Sequence, residues 1–205
     1  AADMDMLWEQ GWRHFGIYFF RYSMTERAGV PYHVIPLRVE LAKFSLSQSQ
    51  LRVLRRNRDL DVVIRPATID PAKEVLFDRH RERFKDNVPN SIFDFMSDRP
   101  ASVPCRNEEI CVYRGDQLLA ASFLDIGEAA TSAVYAAFEP AEHKRSLGIL
   151  TMLRAVEFSQ NRGLRYYYPG YAYREASMYD YKKKFSGLEY LDWSLGWRDY
   201  PDGTQ

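Results

Sequence analysis

From residue 61 onward, apolar residues gather in short runs bounded by turn residues, separated by longer stretches with helical spacing. DVVIRPA (61–67) reads as a strand, and Asp70-Pro71 then supplies an N-cap and a first-turn proline for a helix running to about residue 86. SIFDFMSD (91–98) reads as a shorter helix. Three strands follow, EEICVYR (108–114), QLLAASFLD (117–125) and TSAVYAAF (131–138), the first two joined through the turn dipeptide Gly115-Asp116. A helix over about 146–161 ends with Gly163 as its C-cap, and LRYYYPGY (164–171) is a strand stopped by Pro169-Gly170. A lysine-bearing helix, ASMYDYKKKF (176–185), precedes a last strand, LEYLDW (188–193).

The first 60 residues are less regular. MLWEQGWRHFG (6–16) reads as a short helix ended by Gly11 or as a loop held by Trp8 and Trp12, and GIYFFRYS (16–23) reads as a strand. YHVIPLRVEL (32–41) is another, in which Pro36 marks a bulge or an edge. In FSLSQSQLRVLRRNRDL (44–60), Ser45 with Gln48, or Ser47 with Gln50, has capping-box spacing. At 100° per residue Leu46, Val53 and Leu54 then share one side while Arg52, Arg55 and Arg56 share the other. Such a basic ridge is either a solvated face or a contact for an anion or an RNA backbone. The pattern divides the chain into an N-terminal segment, 1–60, packed on a core, 61–205.

Composition narrows the function classes. Lys plus Arg (28) balances Asp plus Glu (28), so any nucleic-acid contact must come from local patches such as 41–58 and Arg79 to Lys85. Cys105 and Cys111 form neither a disulfide framework nor a common zinc spacing, and no metal ligand is assigned from them. No apolar run approaches the ~20 residues that span a bilayer. A soluble, cytoplasmic protein with no membrane partner is expected. The four histidines, His14, His33, His80 and His143, stand in unlike contexts and suggest no catalytic base. Aromatic residues make up 15% of the chain, 14 of them Tyr, which suits both a large core and a stacking surface.

The element order resembles the GNAT acyltransferase fold: α/β, with a mixed, mostly antiparallel central sheet flanked by helices. Within it, HKRSLGILTM (143–152) opens the central helix, whose free N–H groups and positive dipole end suit a phosphate or a carbonyl oxygen. The blocks GWRHFGIYFFR, PLRVELAKFSLSQSQLRVLRRNRDL, SAVYAAFEPAEHKRSLGILTMLRAVE, GLRYYYPGY and YKKKFSGLE run in order from about residue 7 to 191. Together they resemble the aminoacyl-tRNA–protein transferases, comprising arginyltransferases and the bacterial leucyltransferases that act on N-terminal Asp or Glu. The resemblance implies transfer of Arg or Leu from aminoacyl-tRNA to the N-terminal α-amine of an acceptor protein or peptide, as in the N-degron pathway, with no cofactor beyond the tRNA donor.

Two departures qualify it. The family carries cysteines in its N-terminal region that are associated with metal or iron–sulfur binding, whereas YSMTERAGVPYHV (22–34) has none, so a cofactor held through those thiolates is not expected. The family also prefers Met two places before its Tyr-Lys pair, where this chain has Tyr179. The alternatives are an N-acetyltransferase using acetyl-CoA and a non-catalytic relative that only binds. Against the first, the phosphate-loop pattern places a small residue where Leu150 stands, five positions after Arg145.

Aminolysis of an activated ester needs positioning, oxyanion stabilisation and a proton for the leaving hydroxyl. The catalytic candidates are Ser146 at the helix start and Tyr168 and Tyr171 around Pro169-Gly170. Arg145 and Gly148 at the helix start are candidates to bind substrate, as are Tyr181 and Lys182, which match the family's Tyr-Lys pair. Arg52, Arg55 and Arg56 are the candidates for tRNA. Each has a plainer reading: a helix turn, core packing, an ion pair with Glu139 or Glu142, or a solvated face.

Overall fold

A computed structural model describes residues 1–27, 29–85 and 87–201. The chain opens with helix α1 (Ala2–Glu9), then a hairpin of β1 (Arg13–Phe15) and β2 (Tyr18–Phe20), then β3 (Met24–Arg27) and the long β4 (Val30–Glu40). Helix α2 (Gln48–Arg56) and β5 (Asp61–Pro66) lead to α3 (Pro71–Arg81), and β6 (Asn107–Arg114), β7 (Gln117–Ile126) and β8 (Ala130–Phe138) follow. Helix α4 (Leu147–Asn161), β9 (Tyr166–Tyr173), β10 (Leu188–Asp192) and β11 (Gly196–Asp199) complete the order.

One sheet organises the molecule, in the order β11-β10-β4-β9-β8-β7-β6-β5, with β3 paired to the outer part of β4. All neighbours are antiparallel except β8 and β9. Strand β4 lies between β10 and β9, so the sheet crosses the boundary drawn at residue 60. Helix α4 packs on one face against β6 to β9 with α2 beside it, and the main core of Leu37, Val39, Val112, Leu124, Leu150, Val156 and Tyr167 lies there. Helix α3 covers Cys111, Ala121 and Ala137 on the other face, while α1 buries Met4 and Trp8 against Ala130 and Tyr168.

Local chemistry accounts for most element ends. Ser47 caps α2 and Gln50 returns the bond in a capping box, so the second of the two sequence alternatives is the one adopted and Leu46 lies ahead of the helix. Asp70 accepts from the Lys73 N–H at 3.0 Å, with Pro71 first in α3. That helix stops at Arg81, short of the expected residue 86, which lies outside the described residues. The expected helices over 91–98 and 176–185 shrink to 3-10 turns at Ile92–Asp94 and Asp180–Lys184.

Two strand prolines share one explanation: Pro169 departs from expectation, while Pro36 marks a bulge as expected. Strand β9 runs through Pro169-Gly170 instead of stopping there, because the β8 ladder has already ended at Tyr168 and the β4 ladder is interrupted between Leu37 and Val39. Pro169 therefore costs no ladder bond. Pro36 sits beside the same bulge, just past the β10 ladder, which covers only Leu37 to Val39.

At Gly187 (φ +65°) a Cβ would stand 2.8 Å from the Glu40 carbonyl oxygen and 2.9 Å from Lys43 Cβ, while the Gly187 carbonyl accepts from the Glu40 N–H. Gly187→Ala combines a left-handed backbone with a contact that only backbone movement relieves, so a loss of about 1–3 kcal/mol is expected. It should read as a lower urea midpoint at unchanged slope.

Candidate active site

Strands β8 and β9 pair in only three rows, Ala130 with Tyr166, Thr131 with Tyr167 and Ser132 with Tyr168. Beyond these, β8 follows β7 and β9 follows β4, so the two parallel strands part and leave a gap in the pairing at their C-terminal ends. Val134 is an extra residue on β8, since Phe123 faces Tyr135 while the adjacent Leu124 faces Ala133. A bulge of this kind leaves its extra residue unpaired in the ladder and bends the strand.

Arg13 enters this opening from β1. It is buried and donates to Ser132 Oγ and the Ala133 carbonyl. From the far side of the cleft the half-buried Lys182 donates to the Tyr171 carbonyl at 3.0 Å. The two cations meet above Gly170 (φ +93°), where a Cβ would stand 3.3 Å from Lys182 Nζ and 3.7 Å from an Arg13 guanidinium nitrogen. Burial and then the charge of Arg13 depress the Lys182 ammonium to about 7. Among the described residues neither cation has a carboxylate in an ion pair, and their bonds go to neutral oxygens. Two cationic side chains with no ion-pair partner thus converge on a glycine, with Asp125 the nearest carboxylate charge felt by Arg13.

The hairpin β1–β2 adds an aromatic rim. Phe20 and Tyr22 meet the Tyr171 ring edge-on at 6.0 and 5.4 Å, while Tyr18 and Phe19 remain exposed. Such rings are platforms for bases or for an acyl side chain.

The structure moves several sequence candidates away from chemistry. Tyr168 is buried among Trp8, Met4 and Trp197, and burial pushes its phenol up to about 12, so it acts as core. Tyr171 lines the cleft, but its hydroxyl proton is donated to the Gly11 carbonyl at 2.6 Å, and burial raises its pKa so that it is held rather than released. Ser146 adopts a left-handed conformation (φ +56°) at the start of α4, and its side chain caps nothing. Arg145 is committed to Asp59, through two 2.9 Å bonds, and to Glu142 at 3.0 Å. Gly148 is explained by the Phe138 ring, 3.1 Å from where its Cβ would lie. The arginine at the α4 start is thus neutralised, whereas Arg13 and Lys182 stand without an ion-pair partner among the described residues. Tyr181, the neighbour of Lys182, is exposed.

Arg52, Arg55 and Arg56 all stand exposed on the solvent side of α2, with Arg56 bonded to the Lys144 carbonyl. This ridge does not meet the Arg13 and Lys182 pair in any described contact.

Sequence reasoning missed Arg13 altogether, although it lies within one of the motif blocks. It also assigned no metal ligand, yet the fold brings His14, Cys105 and Asp125 together, with ligand atoms all within 4.8 Å of one another. The cysteine cofactor associated with the family's N-terminal region finds no donors in the corresponding strands here. Cys111, its thiol pushed up to about 12 by burial, packs under α3 away from Cys105. The two cysteines of this chain do not fit that group.

A parallel strand pair that splays in an otherwise antiparallel sheet is the architecture of the GNAT-like fold. The fold is shared with a GCN5-related glucosamine N-acetyltransferase region of a fungal multi-domain GH3 β-N-acetylglucosaminidase, at TM-score 0.50 and 13% identity over 92% of this chain and 21% of that one. Within this class the family profile "Arginine-tRNA-protein transferase, C terminus" matches residues 73–192. The aspartate/glutamate leucyltransferase of Helicobacter hepaticus is 28% identical over 90% of this chain and 77% of its own length. That of Stenotrophomonas maltophilia is 30% identical over 82% of this chain and 70% of its own. The chain belongs to the arginine-tRNA-protein transferase family.

Proposed function

We propose that this protein moves a leucyl group from leucyl-tRNA to the α-amine of a protein or peptide whose N-terminal residue is Asp or Glu. The observation that carries the reading is the pair of cations at Gly170, Arg13 and Lys182, set beside the splayed strands without a carboxylate partner. A free acceptor side-chain carboxylate supplies the missing charge and holds the adjacent α-amine at the cleft, where the ester carbonyl of the donor would lie against the bulge at Val134. The α-amine attacks that carbonyl, an amide bond forms, and the ribose hydroxyl leaves with the proton that the amine gives up. No covalent enzyme intermediate is needed, because the ester is activated and positioning supplies much of the rate. The curated relatives' leucyltransferase names favour leucine over arginine. Charged tRNA as donor places the work in the cytoplasm, and no helix of the described residues is long and apolar enough to cross a membrane.

The test follows labelled Leu and labelled Arg from their charged tRNAs to peptides beginning Asp, Glu or Ala, with labelled acetyl-CoA beside them. Label from leucyl-tRNA on the Asp and Glu peptides alone is the expected result. Arginine transfer would correct the donor, and acetyl transfer would overturn the reading.

The α2 ridge serves as a phosphate track in this reading. The double change Arg55→Ala and Arg56→Ala should weaken tRNA binding and reduce the magnitude of its log–log salt slope by roughly 1–2. Filter binding from low to high salt measures both. An unchanged slope would make the ridge a solvated face.

A further inference from the structure

We propose that His14, Cys105 and Asp125 form a binding site for a zinc-type divalent cation, which fastens the β1–β2 hairpin to the sheet and thereby fixes Arg13 in the cleft. The donors come from three parts of the chain: β1, the turn before β6, and the C-terminal end of β7. Their ligand atoms are buried and lie within 4.8 Å of each other. One nitrogen, one sulfur and one oxygen donor make the mixed set that zinc takes, and a carboxylate with a thiolate offsets the dication's charge inside the protein.

The surroundings of the three donors separate this cluster from a chance meeting of polar side chains. His14 Nε2 faces Asp125 Oδ2 at 2.6 Å, and its other ring nitrogen, Nδ1, is held by the Gly16 carbonyl at 3.0 Å. Asp125 Oδ1 in turn accepts from Asn107 Nδ2 at 2.8 Å. Each of these two donors is therefore oriented by a further partner on the side away from its ligand atom, the arrangement by which metal sites fix the ring and the carboxylate. Asn107, which orients Asp125, is itself incompletely paired. It is 2% exposed, and its Oδ1 is buried without a hydrogen-bond partner. An amide oxygen left unpaired beside a carboxylate is costly in a protein interior.

Without a cation the Cys105 thiol is inert, since burial and the neighbouring Asp125 both raise its pKa. Tetrahedral bonds of about 2.0–2.3 Å require donor separations of roughly 3.3–3.8 Å, so His14 and Asp125 must part by less than an ångström and Cys105 must move in. Side-chain rotation suffices, because the turn carrying Cys105 is only half-buried.

The consequence for the cleft follows from the neighbouring residue. His14 and Arg13 are adjacent in a strand of three residues that pairs only with β2, so the hairpin is held to the sheet through its side chains and the bond from the Gly16 N–H to the Phe95 carbonyl. A cation on His14 pins the backbone from which Arg13 reaches Ser132.

The experiment uses the full chain purified without a histidine tag. Metal content is measured by mass spectrometry, and Co2+ is added as a spectroscopic probe to chelator-treated protein. The expected result is about one equivalent of retained metal. Co2+ should give visible bands of four-coordinate intensity and a near-ultraviolet thiolate-to-cobalt band. That band is expected to vanish in Cys105→Ser and persist in Cys111→Ser, while Asn107→Ala lowers metal affinity by about 10- to 100-fold. Folding of each variant is followed by circular dichroism. If Cys105→Ser does not fold, the wild-type spectrum together with Cys111→Ser decides the matter. Folded wild-type protein with neither retained metal nor a cobalt spectrum overturns the proposal, as does a thiolate band that follows Cys111. None of these readouts uses transferase activity, so the cation site and the aminoacyl transfer stand or fall separately.

Discussion

Lys182→Met should lower kcat/KM for peptides beginning Asp or Glu by about 10- to 150-fold while leaving the slow reaction of an Ala peptide nearly unchanged. The range is the 1.5–3 kcal/mol carried by one charge-assisted hydrogen bond, here from the ammonium to the acceptor carboxylate. Lys182 Nζ stands beside Gly170 with Arg13 behind it, so removing it leaves one cation where there were two and discrimination against Ala collapses. The pH dependence supplies a second, sharper reading. In the free enzyme Lys182 titrates at about 7, so its cationic form disappears as pH rises through that value. The acceptor α-amine, with a pKa of roughly 7.7–8, becomes reactive over the next unit. The wild-type profile for acidic acceptors is therefore bell-shaped with a maximum between these values, and the alkaline fall belongs to Lys182. Lys182→Met should lose that fall and rise steadily with pH. A variant that loses the rising limb instead would make Lys182 the base that deprotonates the amine. Lys182→Arg, which keeps a cation, should restore part of the preference for acid.

Much of the sheet was legible from local signals. Asp70-Pro71, the capping box at Ser47 and Gln50, and the Gly115-Asp116 turn are contacts within a few residues, and each stands where the sequence puts it. Misreadings came where distant partners decide. Pro169-Gly170 looked like a stop because a proline cannot donate to a ladder, but on β9 the neighbouring ladders are themselves interrupted there. The same holds for the candidate site. Lys182 was reachable from the Tyr-Lys motif, whereas nothing near Arg13 announces that its guanidinium crosses to Ser132. Conversely, Arg145 and Gly148 carried the signature of a phosphate-binding helix start, and only the fold brings Asp59 and Phe138 to occupy it. His14, Cys105 and Asp125 show no ligand spacing because the sheet, not a loop, assembles them.

Lys73→Met should cost about 3–5 kcal/mol of stability, the largest loss expected from any single change outside the cleft. Lysine is rarely buried without a partner, and the Lys73 side chain in the first turn of α3 is fully buried. Its Nζ lies 2.7 Å from Asp70, 3.0 Å from Glu109 and 3.0 Å from Thr68 Oγ1. Glu109 is equally buried on β6, where Arg65 and the Thr68 N–H bind its two oxygens. Methionine fills the same volume without a charge, so the loss measures Glu109 left with one cation fewer in a dry site and not a cavity. Burial works against the charge of Asp70, but the bonds from Lys73 prevail and hold its carboxyl below the usual range. Its contribution is therefore present above the unfolded pKa and lost as pH falls through the folded value. Lys73 is raised despite its burial by the bonds to Asp70 and Glu109, so its contribution persists through neutral pH and fades only in alkali. Urea unfolding of Lys73→Met at pH 7 should show the full loss. The double change Lys73→Met with Glu109→Gln should recover part of it, because no uncompensated charge then remains under α3. A single variant within 1 kcal/mol of wild type would mean that Arg65 alone neutralises Glu109 and that the buried lysine is dispensable.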